Sequence, residues 1–360
     1  MNAKQSPLQI LIEKMAIEKA DLTRGETGLA FDCIFDGSES DITVGSFLTA
    51  LAMKGESDDE ILGTYNAVRK HEYTFGPTGR AVIDVCGTGG EALKTFNIST
   101  AAAVVTAASG CRVAKHGNRS MSGICGSADF LETIGFDLNS PCDRLLRLLE
   151  KVGITFLFSP NFHPSMRKIS VVRRAIGIRT VLNIVGPLCN PCASLSGQLI
   201  GVFKPSLLQK VSNLTENSTL ERFMVAYSED GFDELTNTCV NKVVYFNHGE
   251  LTSFSIHPKE YDLTLADRDS LTVNSKDECI RITLESIYGF ASEQIEDVIV
   301  LNAAAALLVG DHVDKLSEGI ELARNNIKNG NARAILHEMI KHCGDEGTLL
   351  VLESTLRKGP

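Results

Sequence analysis

Between Asp84 and Asp129 the chain twice leaves a short apolar strand through a glycine-rich turn and enters a helix. The first passage reads DVCGTGG-EALKT-FNIST and the second KHGNRSMSGICGSAD, with a small-residue run between them. Strands alternating with helices imply a largely parallel sheet covered on both faces. Backbone N–H groups in such turns, and at the helix N-termini that follow, are natural anion binders. The stretch therefore predicts a large phosphate site.

The same alternation continues downstream. Strands are expected at AVIDV, RVAK, ITFLFS, QLIGVF and RFMVAY, and helices at ISTAAAVVTAAS, SADFLETIG, CDRLLRLLEKVG and PSLLQKVSNL. A helical run is expected from His163 to about Val185. The segment TCVNKVVYFNHGELTSFSI reads as a hairpin turning at His248-Gly249, so the sheet is mixed. Three or four helices close the chain, the clearest being VIVLNAAAALLVG and LSEGIELARNNIKNG. Before residue 75 only helices are expected. Ser6-Pro7 opens one, and Thr23 with Glu26 and Ser57 with Glu60 have capping-box spacing, while Gly37 and Gly55 are stops. The fold class is α/β: a small all-helical domain over residues 1–75, joined by helices from about 163–190, and a large α/β domain over 76–360.

Composition narrows the partners. Apolar content of 43% and charged content of 22% belong to a soluble globular chain. A net charge of −10 argues against nucleic-acid and membrane binding, since both favour a basic face. No apolar run reaches the roughly 18 residues that span a bilayer. Ten cysteines scattered through a chain without a secretory signal read as reduced thiols of a cytoplasmic protein.

Four groups of residues could carry chemistry. In the first turn Gly87, Gly89 and Gly90 allow close approach to the backbone, and Thr95, Asn97, Ser99 and Thr100 add side-chain donors at a helix start. The turn is neither a GxGxxG fingerprint nor a P-loop, because Thr88 and Leu93 stand where the latter needs glycines, so nucleotide cofactors are disfavoured. In KHGNR, Lys115 is a point-charge phosphate binder, Arg119 offers a planar fork, and His116 and Asn118 can contact a polar planar substrate. In HPSMRKISVVRRAIGIRT the density of Arg and Lys suggests an acidic substrate, with Arg173 and Arg174 about 100° apart on a helix. The pair Asp233-Glu234 in DGFDEL would matter only near phosphates, where Mg²⁺ is held by one or two carboxylates. Cys189-Asn190-Pro191-Cys192 lacks the second pair a zinc set needs, and Cys86 reads as a small apolar filler. No nucleophile–base pair stands out.

Taken in order, GTGG…TFNIST, KHGNR…GSADFLE, FSPNFHPSMRKISVVRRAIGIRT, GPLCNP and DGFDEL resemble the anthranilate phosphoribosyltransferase family along the whole chain, through LNAAAALLVG and EGIELA. The resemblance implies transfer of the phosphoribosyl group of 5-phosphoribosyl 1-pyrophosphate to the amine of anthranilate, in tryptophan biosynthesis. It implies phosphoribosyl-pyrophosphate contacts at Gly87, Gly90, Glu91, Thr95, Asn97, Ile98, Ser99 and Thr100, at Lys115, His116, Gly117, Asn118, Arg119, Ser120, Met121, Ser122 and Gly123, and at Ser127. It implies anthranilate contacts at Gly87, Asn118 and Arg173, with His116 close by. Lys115, His116, Asn118 and Arg173 would carry catalysis, and Ser99, Asp233 and Glu234 would hold Mg²⁺, two ions per site. A homodimer through the helical domain is also implied.

Departures from the family pattern are few: Glu91 for an aspartate, Gly123 for a serine, Ser165 for an alanine and Cys189 for a threonine-like residue. Two rival readings share the fold. A pyrimidine nucleoside phosphorylase is disfavoured by KHGNR together with HPSM…VVRR, and a non-catalytic nucleic-acid binder by the acidic charge and the intact Asp233-Glu234 pair.

Overall fold

The computed structural model describes residues 5–89, 94–120, 124–216 and 218–356. The chain divides into two compact units, one of residues 1–74 with 159–191 and the other of residues 75–158 with 192–360.

The first unit is helical. Helices Pro7–Ala16, Arg24–Asp36, Asp41–Lys54 and Asp58–Lys70 begin at Ser6, Thr23, Ser40 and Ser57, whose side chains each accept a hydrogen bond from a first-turn amide. Such caps satisfy N–H groups that the helix itself cannot. Ser6, Thr23 and Ser57 complete capping boxes with Gln9, Glu26 and Glu60, and Gly37 closes its helix in the left-handed region. Phe31, Phe47, Leu8 and Leu48 are fully buried between these helices. The run expected to be helical from His163 to Val185 is broken: it forms Met166–Ile176 and Val181–Val185. Gly177 takes a left-handed conformation that ends the first helix, and at the start of the second the Thr180 amide donates to Asn183 Oδ1.

The second unit is built on a sheet of seven strands among the described residues, in the order β3-β2-β1-β4-β5-β6-β7. They are β1 (Val82–Gly87), β2 (Val113–Gly117), β3 (Ile154–Phe158), β4 (Leu195–Gly201), β5 (Arg222–Ser228), β6 (Asn241–Asn247) and β7 (Glu250–Ile256). The first five pair in parallel and the last two join antiparallel, giving the mostly parallel, mixed sheet. At the β6–β7 turn His248 and Gly249 both have positive φ, the requirement of a tight two-residue hairpin. The strand expected to begin at Gln198 begins at Leu195, because its first residues pair with β1 from Val82 onward. Among the described residues five helices, rather than three or four, follow the sheet: Lys276–Tyr288, Glu293–Val309, Leu316–Lys328, Asn331–Cys343 and Glu346–Leu356. Of these, Glu293–Val309 is buried almost throughout and, from Val298 on, apolar apart from Asn302, the signature of a core helix.

Strand order places the site. β1 feeds β2 on one side, whereas its neighbour on the other side, β4, arrives much later in the chain. In open parallel sheets the crevice at the carboxyl ends of strands around such a reversal takes the ligand. Here those ends are Gly87, Gly117 and Gly201.

Candidate active site

The strand ends are occupied by a buried lysine and three carboxylates. Lys115, near the end of β2, is 4% exposed; its Nζ donates to the Val85 carbonyl at 2.6 Å and to Ser99 Oγ at 3.2 Å. Burial draws its pKa below the usual lysine range, against the opposing charges of Asp84, Glu234 and Asp233. Asp84, fully buried in β1, braces this centre. Its Oδ1 accepts from the amides of Val85 and His116 at 2.8 and 3.2 Å, and its Oδ2 accepts from Gln198 Nε2 at 3.2 Å. One carboxylate thus ties β1, β2 and β4 together at the level of Lys115.

The acidic pair sits on the loop after β5. Phe232 and Leu235 on either side are fully buried and fix the loop, leaving Asp233 3% exposed between them. Asn302, on the core helix Glu293–Val309, holds Leu235 from both sides: its Nδ2 donates to the Leu235 carbonyl at 2.7 Å and its Oδ1 accepts from the Leu235 amide at 3.2 Å. Asp233 Oδ2 accepts from the Gly89 amide at 2.6 Å. Gly87 and Gly201, paired across β1 and β4, admit this loop, because a Cβ on either would collide with Asp233. Ser99, Asp233 and Glu234 then line one small cavity with Cys86, Val85 and Asn302.

That donor set is a hydroxyl and two carboxylates, all oxygen. Among the described residues no cluster of three or more His, Cys, Asp or Glu could hold a metal. Two carboxylates suit a hard divalent cation that takes its remaining ligands from substrate phosphates and water, as Mg²⁺ does. Anion donors lie alongside. Thr88 Oγ1, in the first glycine turn, and Thr100 Oγ1, in the first turn of helix Ile98–Ala108, are buried without a hydrogen-bond partner. A buried hydroxyl left in that state costs free energy that an incoming oxyanion would recover.

The other expected site residues fall as follows. Thr95 pairs with Thr272 and Ile98 is buried, while Asn97 precedes the helix Ile98–Ala108 and directs its Nδ2 at the sulfurs of Cys125 and Cys279. His116 is buried at the end of β2, and the Asn118 side chain accepts from the Arg119 amide at 2.7 Å. Ser127 Oγ reaches the Asn118 carbonyl at 3.4 Å, so close to Gly117 that a Cβ there would collide with it. Arg119 does not offer a free fork: both terminal nitrogens pair with Glu132 at 2.6 and 2.7 Å, and one also meets Asp129 at 3.2 Å. Ser120 and Gly126 donate their amides to Asp129 Oδ2, each at 2.9 Å, closing the second turn on itself. Gly90, Glu91, Met121, Ser122 and Gly123 lie outside the described residues.

Arg173 belongs to the helical unit. Its Nη2 donates to Asn183 Oδ1 at 3.1 Å, the same oxygen that accepts the Thr180 amide, and burial lowers its pKa. Its neighbour Arg174 is exposed, as their angular separation predicts. His163 Nε2 contacts the Cys189 carbonyl at 2.9 Å, and burial holds its pKa down to about 4, so it serves this unit as a neutral structural group. Cys189 and Cys192 are both free and buried. Sequence reasoning missed Asp84, Asn302 and Asp129. The first two carried a visible signal, a lone polar residue inside an apolar strand or helix.

Known proteins share this fold and much of this sequence. Residues 79–333 match the glycosyl transferase family a/b domain, and residues 9–71 match its helical bundle domain. Anthranilate phosphoribosyltransferase of Acetivibrio thermocellus is 41% identical over 325 residues, 90% of this chain and 94% of the relative. That of Chloroflexus aggregans is 40% identical over 90% of this chain and 95% of its own. The crystal structure of the Thermus thermophilus enzyme superposes with a TM-score of 0.83 at 33% identity, covering 92% of this chain and 98% of that one. The Saccharomyces cerevisiae enzyme, solved with phosphoribosyl pyrophosphate and Mg, shares the fold with a TM-score of 0.83 at 24% identity, over 94% of this chain and 98% of its own. A glycosyl transferase fold with a lysine and an acidic pair at its strand ends, matched over nine-tenths of its length, places this chain in the anthranilate phosphoribosyltransferase family.

Proposed function

We propose that this chain transfers the phosphoribosyl group of 5-phosphoribosyl 1-pyrophosphate to the amine of anthranilate, giving N-(5-phosphoribosyl)anthranilate and pyrophosphate. The observation that carries the reading is the cavity where Ser99, Asp233 and Glu234 meet beside the buried Lys115. The amine attacks C1 of the ribose, pyrophosphate departs, and configuration inverts. An oxocarbenium-like transition state needs no protein nucleophile, and a neutral aromatic amine needs no strong base. Catalysis is therefore positioning and charge stabilisation. Lys115 moves its ammonium from Ser99 and the Val85 carbonyl to the leaving pyrophosphate. The Gly87–Gly89 turn, Thr88, Thr95, Asn97, Ser99 and Thr100 cradle its phosphates, as does Ser127. Mg²⁺ held by Ser99, Asp233 and Glu234, two ions per site, supplies neutralisation of the pyrophosphate charge.

Asn118 and His116 face the acceptor, and Arg173 takes the anthranilate carboxylate in a charge-assisted contact. Arg119 acts through the loop that it ties to Glu132 and Asp129. A homodimer forms through the helical unit, whose surface exposes Ile42, Met53 and Val171 around one apolar groove. The protein works in the cytoplasm; among the described residues no helix is long and apolar enough to cross a membrane.

The deciding experiment mixes purified protein with anthranilate, phosphoribosyl pyrophosphate and Mg²⁺ and follows the loss of anthranilate fluorescence. Absence of turnover across metals and pH would refute the reading. Arg173→Ala is expected to raise KM for anthranilate by about tenfold to a hundredfold with little change for phosphoribosyl pyrophosphate. Equal losses for both substrates would remove Arg173 from the acceptor site.

A further inference from the structure

Arg173 is a half-buried cation without a counter-charge. It stands in the last turn of helix Met166–Ile176, and among the described residues no carboxylate pairs with it. Arg69, Arg222 and Arg333, half-buried like it, each meet one, in Glu72, Asp311 and Glu353. Burial alone draws the Arg173 pKa down, with no opposing charge set against it. Its hydrogen bond goes instead to an uncharged group, Asn183 Oδ1, at 3.1 Å. The Thr180 amide donates to the same oxygen at 3.0 Å, so the oxygen of the Asn183 side chain, and not its nitrogen, must face that way. The Asn183 amide donates back to the Thr180 carbonyl at 2.8 Å, which holds the residue at both ends. One oxygen on one nitrogen leaves most of the guanidinium fork for another oxyanion.

For the fold alone an aspartate at 183 would serve better. It has the same shape, accepts the same two donors, adds an ion pair to Arg173 and puts a negative charge in the first turn of helix Val181–Val185. It would also neutralise Arg173. We propose that Asn183 is a positioning residue of the acceptor site and sets its preference for a carboxylate. Its neutral oxygen directs the Arg173 fork without consuming the charge, so the site takes aromatic amines that bear a carboxylate and rejects those that bear a neutral carboxamide. This rests on the reading above that Arg173 takes the anthranilate carboxylate. Asn183 itself acts only through Arg173.

The test titrates anthranilate and anthranilamide, alike except for the carboxylate, into the whole protein with Mg²⁺ and pyrophosphate, by calorimetry. The parent is expected to bind anthranilate about a hundredfold more tightly. Asn183→Asp should bring that ratio to about one by weakening anthranilate alone, while the melting temperature rises by about 2 °C. Asn183→Ala loosens the fork and leaves its charge; it should weaken anthranilate roughly tenfold and keep most of the preference. In turnover, Asn183→Asp should raise KM for anthranilate about a hundredfold, with kcat and KM for phosphoribosyl pyrophosphate within about twofold of the parent. An Asp variant that keeps the parent's preference would reduce Asn183 to a structural residue of its helix. An Ala variant that loses the preference as fully as Asp would overturn the role given to charge. If the parent prefers anthranilate but transfers no phosphoribosyl group, the functional reading fails and the two variants still decide the role of Asn183. A parent without that preference would overturn the inference whatever its turnover.

Discussion

The two glycine turns are fastened by the same device with opposite consequences. In each, a buried or half-buried carboxylate accepts backbone amides: Asp233 takes the Gly89 amide, and Asp129 takes those of Ser120 and Gly126. Asp129 is a local tie. It stands on the helix that follows its own turn and is paired with Arg119, so nothing in the reaction asks it to let go. Asp233 comes from a distant loop and shares its cavity with Ser99 and Glu234. The first turn is thus clamped by a group with a second use, and the second by a group with none. On the proposed function, a carboxylate that takes Mg²⁺ would couple the Gly89 amide to metal binding, whereas Asp129 would stay on its own two amides.

The sharpest way to break this comparison is at the acidic pair. Asp233→Asn with Glu234→Gln keeps the size of both side chains and removes the charge. Turnover is expected to fall by about a thousandfold and the response to Mg²⁺ to disappear, while the far-ultraviolet circular dichroism stays that of the parent. An unchanged Mg²⁺ dependence would take the pair out of the site. Asp129→Ala should behave differently. Losing acceptors for two amides and an arginine costs about 2 kcal/mol of local stability, read as roughly a tenfold rise in KM for phosphoribosyl pyrophosphate. Its Mg²⁺ response should match the parent. A lost Mg²⁺ response in this variant would mean the two carboxylates do not divide their roles in this way.

Much of this arrangement was legible in the sequence wherever the determinant was local. The hairpin at His248-Gly249, the capping boxes at Thr23 and Ser57, and the alternation behind the parallel sheet each rest on residues a few positions apart. The acidic pair was legible as chemistry, since Asp233-Glu234 was expected to matter only near phosphates. What brings it there was not. Asn302 pinning Leu235, Asp84 bracing β1 to β2 and β4, and the space left at Gly87 and Gly201 are contacts between distant segments. Arg119 shows the reverse error. A basic residue in a glycine turn looks like a phosphate fork until Glu132, one helix later, is seen to occupy it.

A third carboxylate sharpens the point by lacking what the other two have. Glu72, in the helical unit, is buried with Oε2 unpartnered; its Oε1 pairs with Arg69 at 3.0 Å, and Arg69 also donates to the Asn190 carbonyl at 2.6 Å. Without backbone amides upon it, burial outweighs Arg69 and pushes its pKa from 4.5 up to about 7. The folded protein therefore binds the extra proton between those values, and stability falls as pH rises through that window. His163 works in the opposite sense. Burial takes its pKa from 6.5 down to about 4, so the unfolded chain binds the extra proton and stability rises with pH across that range. In the parent the two slopes offset each other where they overlap. Glu72→Gln should uncover the His163 slope, with stability rising from acid to about pH 6.5 and then level. At about pH 8 the variant should exceed the parent by about 2 kcal/mol, the size of the shift discounted for partial screening by solvent. Urea unfolding followed by circular dichroism across pH measures both features. A variant less stable than the parent above pH ~7 would show that the Arg69 pair outweighs burial, and that a buried carboxylate in this fold needs no amide to hold it ionised.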